Sequence, residues 1–354
     1  MDKLVDWLAH NSAASITLTV AFGLLAITVT VIYAVAFSQG REVSFWPPKI
    51  GAKPAAAKEQ PSQTAPLDAH VPLMLDKRSI LVAASGERYE IGTRLYSGST
   101  AGLFLASSKV LPKVVAKVYW VGPEPNSPVW ESFNRELRVS EILQHRNIVR
   151  VFDRGIAGGY PFLIMEYLAG GTLRDWLDAH DQIRGGPLLS ISTQIADAID
   201  FAHSRGVLHR DLKPGNVLLE SDESGRVAVS DFGIARLLGA AREAITAENM
   251  FAGTIAYIAP EALRGENPTT DSDVYAFGVI LFEMITRSRL YGDLMGFALA
   301  QKILAADAPD IRDFRPVSER LSERIRSTLS RDRQKRPSSA RAVLSGIESE
   351  LLAL

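Results

Sequence analysis

The sequence of 354 residues contains no cysteine. Disulfide bonds, thiolate nucleophiles and cysteine-ligated zinc are therefore excluded. The six histidines are scattered without the spacing of a metal site, which leaves Mg²⁺ bound by oxygen ligands as the metal to consider. An excess of charge of one sign is also lacking, because the formal net charge is −1. Whole-chain charge thus predicts no nucleic-acid partner.

Charge is absent altogether from residues 15–37, which are dominated by Ala, Val, Leu, Ile, Thr and Phe. About 23 residues of helix extend roughly 34 Å, enough to cross a bilayer core of about 30 Å. A cleaved signal peptide is the alternative, but the run is longer than usual and acidic residues precede it, Asp2 and Asp6. A buried helix of a soluble domain is disfavoured, because most such helices show a polar stripe and this segment shows none. A single transmembrane helix is predicted.

The charges on either side of this segment predict its orientation. Residues 1–14 contain one lysine, Lys3, whereas four cations follow the segment: Arg41, Lys49, Lys53 and Lys58. The more basic flank normally stays in the cytoplasm. We therefore expect a single-pass protein of the plasma (inner) membrane, with its N-terminus outside and the rest of the chain in the cytoplasm.

Two further regions follow the predicted span. Residues 38–86 are rich in Pro and Ala and are predicted to be a flexible linker. Residues 87–354 are predicted to be one folded domain of the α+β class. Its first third alternates short strand-like runs around a helical stretch at Val129–His145, and beyond Leu173 the pattern is mostly helical.

Two polar motifs lie in the helical part of this domain. Residues 209–216 read H-R-D-L-K-P-G-N, and a D-F-G triplet follows at residues 231–233. An isolated H-x-D triplet also occurs in loops where the Asp is only a cap, but the full run followed by D-F-G is specific. In order and spacing these residues resemble protein kinases, nearest to the eukaryotic-like Ser/Thr kinases of bacteria. The resemblance implies a two-lobed fold with a small β-rich lobe and a larger helical lobe.

The resemblance also implies roles for the polar residues of both motifs. Asp211 would be the catalytic base, and Lys213 would reach the γ-phosphate of ATP. Asn216 and Asp231 would bind Mg²⁺, a hard cation that takes oxygen ligands. ATP and Mg²⁺ are therefore the expected cofactors, and proteins that bear Ser or Thr are the expected substrates.

A lysine stands in the strand-like run V-V-A-K-V, at Lys117. It is either an edge-strand lysine that blocks aggregation or the kinase lysine that binds the α- and β-phosphates. The second interpretation is favoured by Glu136 in F-N-R-E-L-R, which resembles the helical glutamate that pairs with this lysine.

The nucleotide loop departs from the family pattern of three glycines. Of the pattern G-x-G-x-x-G-x-V only the middle glycine, Gly98, is in place, because Tyr96 and Ala101 replace the other two and Gly102 lies one position late. Glycines let the backbone approach phosphates closely. Gly98 is predicted to contact the nucleotide, and an ordinary hairpin with a Gly-Ser turn is the alternative.

The adenine site is predicted at the junction of the two lobes. Glu166 and Tyr167 resemble the hinge that binds adenine through its backbone, with Met165 as the gatekeeper. Leu103 and Val115 would then sandwich the base. An apolar strand end would look the same in sequence.

Three architectural features accompany the site in the family. Residues 253–261 resemble the end of an activation segment, and Thr254 within it is typical of Ser/Thr kinases. Glu261 is expected to pair with Arg336. Asp273 is expected to bind the backbone of the catalytic loop.

Regulation is predicted at two positions. Arg210 precedes the catalytic base and is expected to be buried, and in kinases of this type a phosphorylated loop residue neutralises such an arginine and orders the segment. Thr246 is the one hydroxyl between the D-F-G triplet and Gly253, so it is the predicted autophosphorylation site.

Ser140 stands where the family usually has an apolar residue, and a buried hydroxyl without a partner costs about 1–3 kcal/mol. We expect a weakly active isolated domain that homodimerisation at the membrane activates.

Three functions fit these residues to different degrees. A membrane-anchored Ser/Thr protein kinase is favoured. A pseudokinase scaffold is the main alternative, supported by the altered nucleotide loop and Ser140 but opposed by the presence of the base and both metal ligands. A small-molecule phosphotransferase would share the base and ligands but lack the segment at residues 253–261.

Overall fold

The computed structural model describes residues 79–98, 100–120, 128–220, 225–232 and 255–354, together with two short strands that pair antiparallel, Val43–Phe45 (β1) and Pro48–Ile50 (β2). The predicted membrane span at residues 15–37, the D-F-G glycine, Thr246 and Thr254 lie outside the described residues. Within the described ranges, every helix falls short of the length and hydrophobicity that crossing a bilayer demands.

The unit His70–Leu354 begins with a six-stranded sheet whose neighbouring strands are all antiparallel. The strands are Ile80–Val82 (β3), Arg88–Ser97 (β4), Ala101–Ser107 (β5), Val114–Tyr119 (β6), Val151–Ala157 (β7) and Tyr160–Glu166 (β8). Their order in the sheet is β3-β4-β5-β6-β8-β7. Alternate residues of β5 and β6, such as Phe104 and Val118, point into a buried core on one face. Leu103, Val115 and Lys117 point to the other face.

The first strand of this sheet corrects the predicted domain boundary. β3 lies within residues 38–86, which were predicted to be linker, and it pairs with β4 from Ile80 opposite Glu90 to Val82 opposite Arg88. Leu81 is its one buried residue. A strand of three residues is too short to give an alternating pattern in the sequence, so the sheet begins ahead of residue 87.

One helix packs on the second face of the sheet. This helix, Pro128–Ile142 (α1), places Phe133 in a cluster with Tyr119, Leu163 and Met165. The sequence predicted a helix that continues to His145. The chain leaves the helix earlier because the His145 side chain accepts a hydrogen bond from the Asn147 backbone N–H at 3.2 Å, which favours a turn.

The rest of the unit is mostly helical, as predicted. Its central helix, Thr270–Thr286 (α5), is buried on all sides over most of its length, which is typical of a helix in the middle of a lobe. Two short antiparallel strands and a 3₁₀ turn, Pro214–Asn216, interrupt the helices. The elements are Leu173–Ala179 (α2), Gly185–Ser204 (α3), Val217–Leu219 (β9), Val227–Val229 (β10), Pro260–Leu263 (α4), Thr270–Thr286 (α5), Gly296–Ala305 (α6), Glu319–Thr328 (α7), Ala340–Leu344 (α8) and Glu348–Leu352 (α9). The α+β, two-lobed fold class is confirmed.

Candidate active site

The loop that carries H-R-D is fixed by a carboxylate on the central helix. Asp273, buried in the first turn of α5, accepts hydrogen bonds from the backbone N–H groups of His209 at 2.8 Å and Arg210 at 2.9 Å. The same carboxylate contacts His203 Nε2 at 2.8 Å. Arg210 has a φ of 67°, in the left-handed region that non-glycine residues seldom adopt. Asp273 holds the loop in this strained shape, as predicted for this residue.

His209 is buried as a neutral imidazole. Its Nε2 lies 3.0 Å from the Ser230 carbonyl oxygen, which can only accept, and its Nδ1 accepts from the Asp211 N–H at 3.3 Å. These two bonds need one protonated and one free ring nitrogen. Burial also lowers the pKa of His209, against the raising effect of Asp273. The ring packs on Phe232 with centroids 4.6 Å apart, which joins the catalytic loop to the D-F-G motif.

Asp211 is held by two neighbours that leave it partly exposed. Lys213 Nζ donates to Asp211 Oδ2 at 2.8 Å. Asn216 Nδ2 donates to the Asp211 carbonyl oxygen at 2.8 Å and to Oδ2 at 3.2 Å. The three predicted residues therefore lie together, with a fixed carboxylate that can accept a proton from a bound hydroxyl.

Lys117 lies at the centre of a second group of charges. Its Nζ is 2.9 Å from both carboxylate oxygens of Glu136 on α1, and it also donates to Asp231. The predicted pairing of Lys117 with Glu136 is confirmed. The Tyr119 hydroxyl donates to Glu136 as well, a contact that the sequence analysis did not predict. Lys117 is 7 % exposed, so an edge-strand lysine facing solvent is excluded.

The pKa values of Lys117, Asp231 and Glu136 depend on their burial and on the charges that they share. Burial lowers the pKa of Lys117, but the charges of Asp231 and Glu136 outweigh it and raise the pKa well above the usual value. Burial raises the pKa of Asp231, but Lys117 outweighs it and the pKa is lowered. Burial raises the pKa of Glu136 despite Lys117. Lys117 and Asp231 are therefore charged at neutral pH.

The donor set fits a hard divalent cation, with Mg²⁺ as the predicted ion. The amide nitrogen of Asn216 is committed to Asp211, which leaves its amide oxygen as the ligand atom. Asp231 is an ionised carboxylate with a φ of 61°, a strained backbone shape typical of functional sites. An amide oxygen and a carboxylate, beside phosphate oxygens, are ligands that Mg²⁺ prefers. Asn216 and Asp231 are the residues that would hold it.

Apolar side chains of the two lobes pack together on the second face of the sheet. Val115 belongs to the cluster that contains Met165, and Leu103 lies opposite Lys117 in the sheet. Leu218 on β9 joins the cluster from the helical lobe. Leu218 was not predicted from the sequence, although it lies in the apolar run V-L-L directly after Asn216.

The side chains of the predicted hinge, Glu166 and Tyr167, contact other residues of the protein. Glu166 forms a two-bond ion pair with Arg226, at 2.5 Å and 2.8 Å, which ties the end of β8 to the segment before β10. The Glu166 N–H donates to the Arg150 carbonyl oxygen at 2.8 Å. The Lys113 ammonium lies 4.2 Å from the ring centre of Tyr167. Hydrogen bonding to adenine by Glu166 and Tyr167 stays a prediction.

Ser140 requires a correction. Its hydroxyl is partly buried and donates to the Leu137 carbonyl oxygen at 2.7 Å, so the expected buried hydroxyl without a partner is wrong. The preceding turn of α1 supplies the acceptor, which is a common bond for helical serine. A cavity of about 30 Å³ lies beside Ser140 and Phe232.

The predicted pair behind the activation segment is confirmed. Arg336 Nη1 and Nη2 each lie 2.8 Å from an oxygen of Glu261, and both side chains are buried. Glu261 also accepts from Ser272 Oγ at 2.8 Å, next to Asp273. This pair therefore supports the helix end that holds the catalytic loop.

Comparisons with known proteins agree with this geometry. Residues 89–346 match the family model described as the protein kinase domain. The chain is 33% identical over 239 residues to the serine/threonine-protein kinase PrkC of Bacillus subtilis, a match that covers 67% of this chain and 36% of PrkC. It is 34% identical over 241 residues to the probable serine/threonine-protein kinase PknB of Lactococcus lactis, covering 68% and 38%. The chain thus spans a little over a third of the length of these relatives.

A solved structure has the same fold. The crystal structure of a point mutant of the kinase domain of Mycobacterium tuberculosis PknI is similar, with a TM-score of 0.58 and 24% identity. The match covers 78% of this chain and 98% of that one.

Proposed function

Since this chain belongs to the protein kinase family, we propose that it is an active serine/threonine protein kinase that uses ATP. One observation carries the proposal: the Lys117 ammonium group binds Glu136 and Asp231 together, in the arrangement that phosphoryl transfer requires. The relatives named as serine/threonine-protein kinases support the class of acceptor.

The chemistry proceeds through the residues of the catalytic loop. The hydroxyl oxygen of a substrate Ser or Thr forms a bond to the γ-phosphorus while the bond from that phosphorus to the β–γ bridging oxygen breaks, and ADP leaves. Asp211 accepts the hydroxyl proton. Lys213, 2.8 Å from Asp211, offsets charge on the transferred group. Lys117 positions the α- and β-phosphates. Mg²⁺ held by Asn216 and Asp231 would spread the charge of the phosphates.

The pseudokinase alternative predicts a different outcome in one experiment. The full-length chain is incubated with labelled ATP, Mg²⁺ and a generic protein rich in Ser and Thr, beside Asp211→Asn. We expect label on Ser or Thr, and at least about a hundredfold less with the variant, because a positioned base contributes about 10²–10⁴-fold. Asn keeps the size of the side chain. Equal incorporation by both proteins, or none by either, would contradict the proposal.

We further propose that residues 15–37 anchor the chain in the inner membrane, with the N-terminus outside and the kinase domain in the cytoplasm. The uncharged run and the basic flank support this. Anchoring raises the local concentration of the domain, which favours homodimerisation. Extraction of the chain from membranes by salt or carbonate alone, without detergent, would contradict anchoring.

Thr246 is proposed as an autophosphorylation site that acts on Arg210. The expected burial of Arg210 is wrong, because the residue is exposed. This exposed position and its left-handed backbone, next to the base, support a role for its charge. Peptide mapping of an active preparation is expected to find phosphate on Thr246. An active preparation without it would overturn the assignment.

A further inference from the structure

Trp120 makes two hydrogen bonds to the nucleotide loop. It follows the last residue of β6, and its indole N–H donates to the Gly98 carbonyl oxygen at 3.1 Å. Its backbone N–H donates to the Thr100 carbonyl oxygen at 2.8 Å. Both acceptors belong to the turn between β4 and β5, which is closed by a bond from the Gly98 N–H to the Ala101 carbonyl oxygen at 2.9 Å. The loop is therefore held by a side chain from a neighbouring strand.

The Trp120 ring also explains why Gly102 stands one residue after the position of the third glycine in the family pattern. A Cβ atom at Gly102 would lie 2.4 Å from Trp120 Cζ2 and 2.8 Å from Cη2, much closer than atoms can approach. The ring packs edge-on against Phe104, with centroids 6.2 Å apart. Gly102 is thus required for the indole to lie across β5, and its place in the sequence follows from packing rather than from contact with phosphate.

We propose that Trp120 is a positioning residue for the phosphates of ATP, which acts by fixing the Gly98 loop. The loop has one of the three glycines of the family pattern, and the indole bond supplies the fixed shape that they would otherwise allow. A loop that is already ordered loses less conformational freedom when phosphates bind. The inference rests on the proposed function, since it concerns the same nucleotide.

The position of Trp120 separates this role from that of its neighbour. Successive residues of a strand point to opposite faces. Tyr119 points to α1, where its hydroxyl binds Glu136, and Trp120 points to the loop. A change at Trp120 therefore alters the loop without removing a contact of Lys117 or Glu136.

The test measures the binding of ATP, ADP and adenosine to the full-length chain by calorimetry, with and without Trp120→Phe. Phenylalanine keeps an aromatic ring at this position and removes the indole N–H. We expect ATP and ADP to bind about three- to tenfold more weakly, as the loss of one hydrogen bond predicts. Adenosine, which lacks phosphates, should bind unchanged. In kinetics, KM for ATP should rise by the same factor while kcat changes less.

Two further variants make the result decisive. Gly102→Ala displaces the indole without removing it. It should weaken the binding of ATP at least as much as Trp120→Phe does and leave the binding of adenosine unchanged. This variant also replaces Trp120→Phe in the test if that protein fails to fold. Trp176→Phe, on α2 of the helical lobe, is the matched control and should leave the ratio of ATP to adenosine affinity unchanged.

The possible results separate the two proposals. Equal losses of affinity for ATP and adenosine would overturn the role of Trp120. Unchanged ATP affinity in both Trp120→Phe and Gly102→Ala would overturn it as well. If the unaltered chain binds ATP but transfers no phosphate, the proposed kinase activity fails while the binding ratios still test Trp120.

Discussion

The catalytic loop and the nucleotide loop are held in different ways. The catalytic loop is anchored to the core: His209 is fully buried, and a buried carboxylate of the central helix binds two consecutive backbone N–H groups. The nucleotide loop lies at the end of a hairpin, where Tyr96 is 62% exposed, and its side-chain anchor is the indole of Trp120. The catalytic loop is therefore anchored in the core of the helical lobe, whereas the nucleotide loop is held at the end of a hairpin.

This difference has a thermodynamic consequence. Removing an anchor of the catalytic loop leaves buried polar groups without partners, which costs far more than the bond itself contributes. Removing an anchor near the nucleotide lets water replace the lost partner. Substitutions on the two sides should therefore differ in their cost to folding as well as in their effect on activity.

The largest expected effect lies behind the catalytic loop, in the pair of Glu261 and Arg336. Arg336→Met leaves the buried carboxylate unpaired and should lower the free energy of unfolding by about 3–5 kcal/mol near pH 7, as measured by urea denaturation. Arg333→Met, at an exposed arginine of the same turn, is the control. Equal stability of the two variants would contradict the idea that the pair of Glu261 and Arg336 supports the catalytic loop.

The same pair predicts a pH dependence. Burial raises the pKa of Glu261, but the hydrogen bonds and charge of Arg336 outweigh it, so that the pKa lies below the usual 4.5. A carboxyl group with a lowered pKa stabilises the folded state above its unfolded pKa, and this stability is lost as pH falls through the folded pKa. In Arg336→Met the burial of Glu261 is no longer offset by Arg336 and raises its pKa, so the difference between the unaltered chain and the variant should begin to shrink above pH 4.5 and continue to shrink as pH falls through the lowered pKa of the unaltered chain. A constant difference would show that Glu261 is not the responsible group.

A smaller loss is expected at Asp273 itself. Asp273→Ala leaves the N–H groups of His209 and Arg210 without their acceptor, which should cost about 2–4 kcal/mol and abolish phosphoryl transfer. Asp271→Ala, in the same turn of α5, removes a carboxylate that makes neither bond and is the matched control. The idea of a core-anchored loop fails if Asp273→Ala unfolds at the same urea concentration as Asp271→Ala.

The sequence predicted the catalytic loop much better than the nucleotide loop. The polar residues of the catalytic loop are contiguous, so that their types and spacing define the site before any contact is known. The partners of Trp120 and Arg226 lie 22 and 60 residues away, and neither residue belongs to a motif. Tyr119 belongs to no motif either, and its bond to Glu136 joins residues 17 positions apart. β3 was missed because three residues give no period, and Ser140 was misjudged because the acceptor of a hydroxyl is a matter of geometry.

On the nucleotide side, Tyr119→Phe is expected to have a moderate effect. It removes the hydroxyl that donates to Glu136 but keeps the ring that packs against Phe133, with centroids 5.5 Å apart. A hydrogen bond to a charged group contributes about 1.5 kcal/mol or more, so kcat should fall about tenfold. Tyr96→Phe, at the exposed tyrosine, should change nothing. Equal rates for the two variants would show that Lys117 alone positions Glu136.

The smallest effect is expected at Ser140. Because its hydroxyl bonds within its own helix, Ser140→Ala should change the free energy of unfolding by less than about 0.5 kcal/mol. Ser140→Leu would fill the adjoining cavity, and about 30 Å³ corresponds to at most about 0.7 kcal/mol of packing free energy; if all of it favours the placement of α1 seen here, activity should rise by no more than about threefold. Phosphorylation assays on both variants measure this. A gain of tenfold or more with leucine would mean that the placement of α1 beside Phe232 limits the enzyme, because filling the cavity could not supply that much free energy.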